Sequence, residues 1–251
     1  MQKKQILLSE KVHTYYTNSS WSLKESPVLV FLHGWMQDGT SFEKIFQILE
    51  AKNISYVSLD LPGFGGSQLQ HSSMNIDDYS SIVQEFIEKL SLKNPILVGH
   101  SFWGRVSIYL GSCYKNISKI VLICAAGVQK KVPFPKYILI KTGKVILSFP
   151  GLRSIWKKIR EGFSSPDMKN AGKMETIFRN TIAQDLQEYM KQVSLPCLMI
   201  WGKDDDQTPV HDATIIHWHI KNSKLHILNG SHFVHQEKPE EITHLILDFL
   251  K

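Results

Sequence analysis

The sequence predicts an α/β protein: a mostly parallel central sheet of about eight strands, helices on both faces, and a helical cap inserted after the sixth strand. Three observations carry this expectation. Short apolar runs such as Val28–Leu32, Pro95–Val98 and Ile120–Cys124 read as strands buried on both sides. They alternate with segments of helical spacing, as parallel strands joined by crossover helices must. The alternation stops once, after Ala125-Ala126-Gly127. Residues 134–192 then hold helical patterns without a convincing strand, and the strand–helix rhythm resumes at Pro196–Trp201.

In chain order, residues 5–17 alternate loosely through Ile6, Leu8, Val12 and Tyr16, which predicts one or two antiparallel strands. Val28–Leu32 is the next strand and ends in His33-Gly34-Trp35. Residues 40–51 place Phe42, Ile45, Phe46 and Leu49 on one helical face. Tyr56–Asp60 is a strand followed by the turn-rich loop Leu61–Ser67. Asp77-Asp78 opens a helix carrying Ile82, Val83, Phe86, Ile87 and Leu90. Beyond the break come a helix at 209–220, a strand at 224–228 and a last helix at 239–250. The expected division is a core of residues 1–127 and 194–251, with the cap at 128–193.

Composition is that of an ordinary globular chain, 43% apolar and 21% charged. No apolar run reaches the length of about 18 residues that a membrane span needs, and the N-terminal stretch has no signal-peptide core. Cys113, Cys124 and Cys197 are odd in number and lie in or beside apolar segments, so they read as reduced core thiols of a cytoplasmic protein. The net charge of +6 is unevenly spread. Residues 128–195 hold thirteen Lys and Arg against five acids, an excess of +8, and the remainder sums to −2.

The chemistry centres on Gly99-His100-Ser101-Phe102-Trp103-Gly104-Arg105, between an apolar strand and the helical start Val106–Leu110. A serine at a sharp strand-to-helix turn has a strained backbone and a hydroxyl exposed above the sheet. Strand and helix nearly touch there, so the residues two before and two after the serine are expected to be small. Gly99 meets that demand. Trp103 does not, and the glycine falls one position later, at 104.

A serine nucleophile needs a base, an acid to orient the base, and donors for the oxyanion. His232, in Asn229-Gly230-Ser231-His232-Phe233, lies between the last strand and last helix. Asp205, in Trp201-Gly202-Lys203-Asp204-Asp205-Asp206, follows another strand end, and Asp204 or Asp206 could take its place. The oxyanion donors are expected to be the backbone N–H groups of Trp35 and Phe102. His100 reads as structural, and His235 as a nearby rival to His232. His211, His217 and His219 fall on a helix with no carboxylate or cysteine at ligand spacing, so no metal is expected there. Gly63-Phe64-Gly65-Gly66 lacks the Lys-Ser/Thr ending of a phosphate loop, and no cofactor is expected.

Taken in order, His33-Gly34-Trp35, Asp60–Ser67, Gly99-His100-Ser101, Trp201-Gly202…Asp205…Pro209 and Gly230–Phe233 resemble the α/β-hydrolase superfamily over essentially the whole chain except the cap. Within it the chain resembles small capped serine hydrolases: carboxylesterases, meta-cleavage-product carbon–carbon hydrolases, and the pimeloyl-carrier-protein methyl esterase of biotin synthesis. The resemblance implies Ser101 as nucleophile, Asp205 as acid and His232 as base. A serine at the turn separates the chain from the dehalogenases and epoxide hydrolases that use aspartate. The expected function is hydrolysis of a small-molecule carboxylic ester through an acyl-enzyme. The alternatives are a carbon–carbon hydrolase with the same triad, or a non-catalytic binding relative, for which Trp103 is the sequence argument. Residues 137–159 mix apolar and basic side chains, the pattern of a face that docks an anionic membrane or an acidic carrier protein, or of a solvated lid with an apolar inner side. No nucleic-acid recognition motif accompanies the basic segment.

Overall fold

A computed structural model describes residues 1–18, 27–129 and 171–251. The described strands form one eight-stranded sheet in the order β1-β2-β4-β3-β5-β6-β7-β8. They are β1 (Gln2–Leu8), β2 (Lys11–Thr17), β3 (Val28–Leu32), β4 (Ser55–Leu59), β5 (Ile96–His100), β6 (Lys119–Ile123), β7 (Cys197–Gly202) and β8 (Ser223–Leu228). β1 pairs antiparallel with β2, and β2 antiparallel with β4; every other pairing is parallel. The loose alternation before residue 18 is therefore a hairpin of two strands, and its first strand begins three residues earlier than the apolar pattern does.

β3, β4 and β5 are buried along their whole length, which is why their sequences are continuous apolar runs. β8 lies at the sheet edge and alternates between partly buried and exposed residues. The covering helices are α1 (Glu43–Ala51), α2 (Ile76–Lys89), α3 (Gly104–Cys113), α4 (Glu175–Ala183), α5 (Gln187–Gln192), α6 (Val210–His219), α7 (Val234–Glu237) and α8 (Pro239–Leu250). α1 packs on α8, whereas α2 packs on α3 and α5 bridges α3 and α6, so two separate groups of helices cover the sheet. α2 starts with a reciprocal cap: the Asn75 side chain accepts the Asp78 N–H, and the Asp78 carboxylate accepts the Asn75 N–H.

The chain leaves β3 for β4 on one side and later returns to place β5 on the other. The carboxyl ends of β3 and β5 thus flank a topological switch point, where α/β proteins leave a crevice. Within the segment expected to be a cap, residues 130–170 lie outside the described residues, and with them the apolar–basic stretch 137–159. Its described remainder is helical, with a short turn of 3-10 helix at Gly172–Met174 followed by α4 and α5. Arg105 of α3, itself buried, donates from Nη2 to the carbonyl of Gln184 and ties this segment to the core. Among the described residues no helix is long and apolar enough to cross a membrane. All three cysteines are free, but Cys113 is exposed, against the expectation of three core thiols; only Cys124 and Cys197 are buried. Cys113 closes α3, where the helix runs out toward solvent.

Candidate active site

Ser101 follows the last residue of β5 and opens a 3-10 turn, Ser101–Trp103, that leads into α3. Its φ is +51°, a left-handed conformation that side chains other than glycine rarely adopt. Two close contacts hold the turn. A Cβ at Gly99 would meet the Oγ of Ser107 and come within 2.9 Å of the Gly104 Cα, and a Cβ at Gly104 would run into Ala125. The carbonyl of Ser101 also accepts the N–H of Ala126 at 2.8 Å. The demand for small residues therefore falls on positions 99 and 104, correcting the expectation that it falls on 103.

Trp103 turns away from that contact. Its ring is wholly buried among Tyr79 (4.2 Å between centroids), Phe102 (4.7 Å), Phe64 (5.7 Å) and Trp35 (6.4 Å). The indole thus fills an aromatic cluster beside the turn instead of separating helix from strand.

Ser101, His232 and Asp205 come together from three strand ends. His232 Nε2 lies 2.7 Å from Ser101 Oγ, and Nδ1 lies 2.8 Å from Asp205 Oδ2. Asp205 is buried, whereas Asp204 and Asp206 are exposed, and of the three it is the Asp205 carboxylate that meets the His232 ring. Its Oδ1 accepts the N–H groups of Gln207 (2.9 Å) and Thr208 (2.8 Å), and its Oδ2 accepts the Thr208 hydroxyl at 2.8 Å. Burial acts to raise the Asp205 carboxyl; the hydrogen bond and charge of His232, with the Thr208 donors, outweigh it and hold the carboxyl below its ordinary value. The Cys124 carbonyl, 2.9 Å from the Thr208 hydroxyl oxygen, is a second acceptor within reach of that one proton, and the Thr208 carbonyl accepts the Trp201 indole N–H at 2.7 Å.

Trp35, at the end of β3, and Phe102 meet ring to ring at 4.6 Å, which brings the two expected oxyanion segments side by side next to Ser101. Phe178 of α4 stacks on Phe102 at 5.2 Å and packs edge-on to Trp35 at 4.8 Å. Phe178, in the described part of residues 128–193, thus touches the serine turn through Phe102. His235 lies in the short helix α7, behind the ring of His100 at 4.1 Å, and not against Ser101. His217 Nδ1 lies 2.7 Å from Ser223 Oγ, and among the described residues the helical histidines His211, His217 and His219 belong to no group of converging metal-ligating atoms.

One group of metal-ligating types does converge among the described residues: Cys124, Asp205 and His232, with ligand atoms within 4.8 Å of one another. It is poorly suited to a cation. Asp205 and His232 are already joined to each other, and burial first, then the charge of Asp205, push the Cys124 thiol up and keep it protonated. The sequence reading missed Thr208, though its signal was present: Asp205-x-x-Thr208-Pro209 is the spacing of a carboxylate that accepts backbone N–H groups two and three residues on. Phe178 escapes the sequence as well, since nothing local marks it.

Residues 29–245 match the Alpha/beta hydrolase family, and the chain belongs to it. It is 31% identical to the uncharacterized hydrolase YugF of Bacillus subtilis (strain 168), over 89% of each chain. It is 26% identical to the monoacylglycerol lipase ABHD6 of Mus musculus, over 89% of this chain and 75% of that protein. Among solved structures it is similar to an esterase from Exiguobacterium antarcticum, with a TM-score of 0.75 and 20% identity over 99% of both chains. The chain is thus a hydrolase of the alpha/beta-hydrolase type.

Proposed function

We propose that this protein hydrolyses a carboxylic ester of a small molecule through a Ser101–His232–Asp205 triad and an acyl-enzyme intermediate. The observation that carries the reading is the unbroken hydrogen-bonded chain from Ser101 Oγ through both His232 nitrogens to Asp205. His232 Nε2 takes the serine proton as Oγ attacks the ester carbonyl, and returns it to the leaving alcohol. Water then deacylates the enzyme by the same path. Asp205 keeps the proton of the ring on Nδ1, so that Nε2 is the bare nitrogen facing the serine. The backbone N–H groups of Trp35 and Phe102 hold the oxyanion.

Residues 128–193 act as the cap, and Phe178 is its contribution to the wall that Trp35 and Phe102 begin. An apolar acyl group suits that wall. The excess of basic residues in the same segment favours an anionic membrane surface or an acidic carrier as the source of the ester. The burial of Trp103 in its own cluster, away from the contact between β5 and α3, supports the catalytic reading over a non-catalytic relative.

Hydrolysis of p-nitrophenyl esters, acetyl through dodecanoyl, by the wild type beside Ser101→Ala tests the reading. Turnover is expected from the wild type, with a preference for chains longer than acetyl, and none above background from Ser101→Ala, which should fold and melt as the wild type does. Turnover that survives in Ser101→Ala contradicts the assignment. A wild type that leaves every ester intact but cleaves a carbon–carbon bond α to a carbonyl would transfer the same triad to the other chemistry.

A further inference from the structure

We propose that His100 is a positioning residue: it ties the Gly34–Trp35 loop to the loop carrying His232 by sharing one ring proton between them. The role rests on the reading of Ser101 and His232 given above. His100 closes β5 directly before Ser101, and its ring is buried. Nδ1 lies 3.2 Å from Gln37 Oε1, and Nε2 lies 3.1 Å from the backbone carbonyl of His232. Gln37 Oε1 also accepts the Gly34 N–H at 2.9 Å, which turns the amide so that its oxygen is the atom facing His100. Both partners of the ring are therefore acceptors. A neutral imidazole has a single N–H and satisfies one acceptor at a time; only an imidazolium satisfies two. Burial above all, with the neighbouring His235, His232 and His33 rings, pushes His100 well below the ordinary histidine value, so the ring is neutral at neutral pH.

His33 shows what an uncontested ring looks like in the same region. Its Nδ1 lies 2.7 Å from the Gly34 carbonyl, an acceptor, and its Nε2 accepts the Leu61 N–H at 3.1 Å. One neutral tautomer meets both. No neutral tautomer does so for His100, and each of its two contacts ends at a loop the reaction uses. The Gln37 end anchors Gly34, the residue before Trp35; the other end anchors the backbone of His232. The contact with the first loop is tight, because a Cβ on Gly34 would lie 2.7 Å from Gln37 Oε1 and 2.7 Å from His100 Nδ1. The titratable groups facing the ring are His232 (5.0 Å between centroids), His235 (4.1 Å) and His33, and the rest of its surroundings include Phe42 and Phe233. Burial, with the charge of His232, pushes His235 down to about 3, so it offers no charge to compete. Displacing either loop by about 1 Å is enough to cost on the order of 100-fold in rate, which is the scale on which such a tie acts.

The ring proton is read directly by two-bond ¹H–¹⁵N NMR correlation of His100 in the wild type and in Gln37→Met. Gln37 is only half-buried, so this variant keeps the fold. Removing the competing oxygen is expected to move the tautomer population toward Nε2–H; an unchanged population overturns the proposal. This readout does not need turnover, so it stands whether or not the ester reading does. The second measurement is the rate of phosphonylation of Ser101 by a fluorophosphonate. A wild type that does not react refutes the ester reading and leaves the NMR result to decide His100. If it reacts, His100→Leu and Gln37→Met are each expected to slow it about tenfold or more, and the double variant little further. His100→Gln carries its amide nitrogen at the Nε2 place and His100→Asn at the Nδ1 place; each should recover part of the loss in His100→Leu. Independent, multiplying losses at 37 and 100, or Gln and Asn variants no better than Leu, overturn it.

Discussion

The two halves of the site are held in place by different forces. Ser101 is positioned by shape: a left-handed backbone pinned where β5 and α3 nearly touch, between Gly99, Gly104 and Ala125. Asp205 and His232 are positioned by hydrogen bonds, with the carboxylate taking two backbone N–H groups, the Thr208 hydroxyl and the His232 ring. Packing forces tolerate almost no added volume but are indifferent to protonation. Hydrogen bonds to a buried carboxylate tolerate volume better and depend on charge. Substitutions on the serine side should therefore act on stability at any pH, and those on the acid side on rate and on a stability that depends on pH.

The largest effect expected is on the acid side. Asp205→Asn keeps the shape but places a donor or a weaker acceptor opposite His232 Nδ1, so the ring can settle with its proton on the wrong nitrogen. A fall of about 10⁴-fold in kcat with a p-nitrophenyl ester is expected, in a protein that still unfolds cooperatively but at a lower temperature, because the charged acceptor of the Gln207 and Thr208 donors is gone. A loss under tenfold would mean that a neighbouring acid does the orienting.

On the serine side the comparison sharpens at Trp103. Restoring a glycine two residues after the serine satisfies the sequence pattern, yet it would empty the space between Tyr79, Phe64, Trp35 and Phe102. Trp103→Gly is expected to lower unfolding stability by about 3–5 kcal/mol in urea titrations. Unchanged or raised stability would show that the indole is a burden on the turn and not part of its support.

The smallest effect separates the two halves by pH. Thr208→Val removes the hydroxyl donor to Asp205 and is expected to cost about 1–3 kcal/mol at pH 7. The Asp205 carboxyl is depressed in the folded state, so the stability it contributes is fully present above the unfolded value of 3.8 and is lost as pH falls through the lower folded value. The penalty for Thr208→Val should thus be the same at pH 7 and pH 5, and shrink only below about pH 4. A penalty that disappears by pH 5 would place the titrating group elsewhere.

What the sequence discloses follows the same division of forces. Strands buried on both faces are continuous apolar runs, and the last helix, with Pro239 at its first turn, lies where its periodicity puts it. The start of β1 is hidden because Gln2–Gln5 are exposed and polar. α7 is hidden because four residues carry no periodicity. Ser101, Asp205 and His232, which the fold brings into one hydrogen-bonded row, each sit in a local pattern after a strand. The packing of the turn does not show in the sequence, since whether 103 or 104 meets the strand depends on how α3 enters, and its neighbour Ala125 belongs to another strand end. The ties through Gln37, Thr208 and Phe178 join residues far apart in the chain, and only the fold brings them together.

The central claim is that Ser101 is the nucleophile, and its most direct test is covalent. The protein is treated with a fluorophosphonate, the intact mass is measured, and the modified peptide is mapped, with Ser101→Ala and His232→Ala alongside. One adduct on Ser101 is expected, absent from Ser101→Ala and formed at least about 100-fold more slowly in His232→Ala. An unmodified wild type, or an adduct on any other residue, would contradict it.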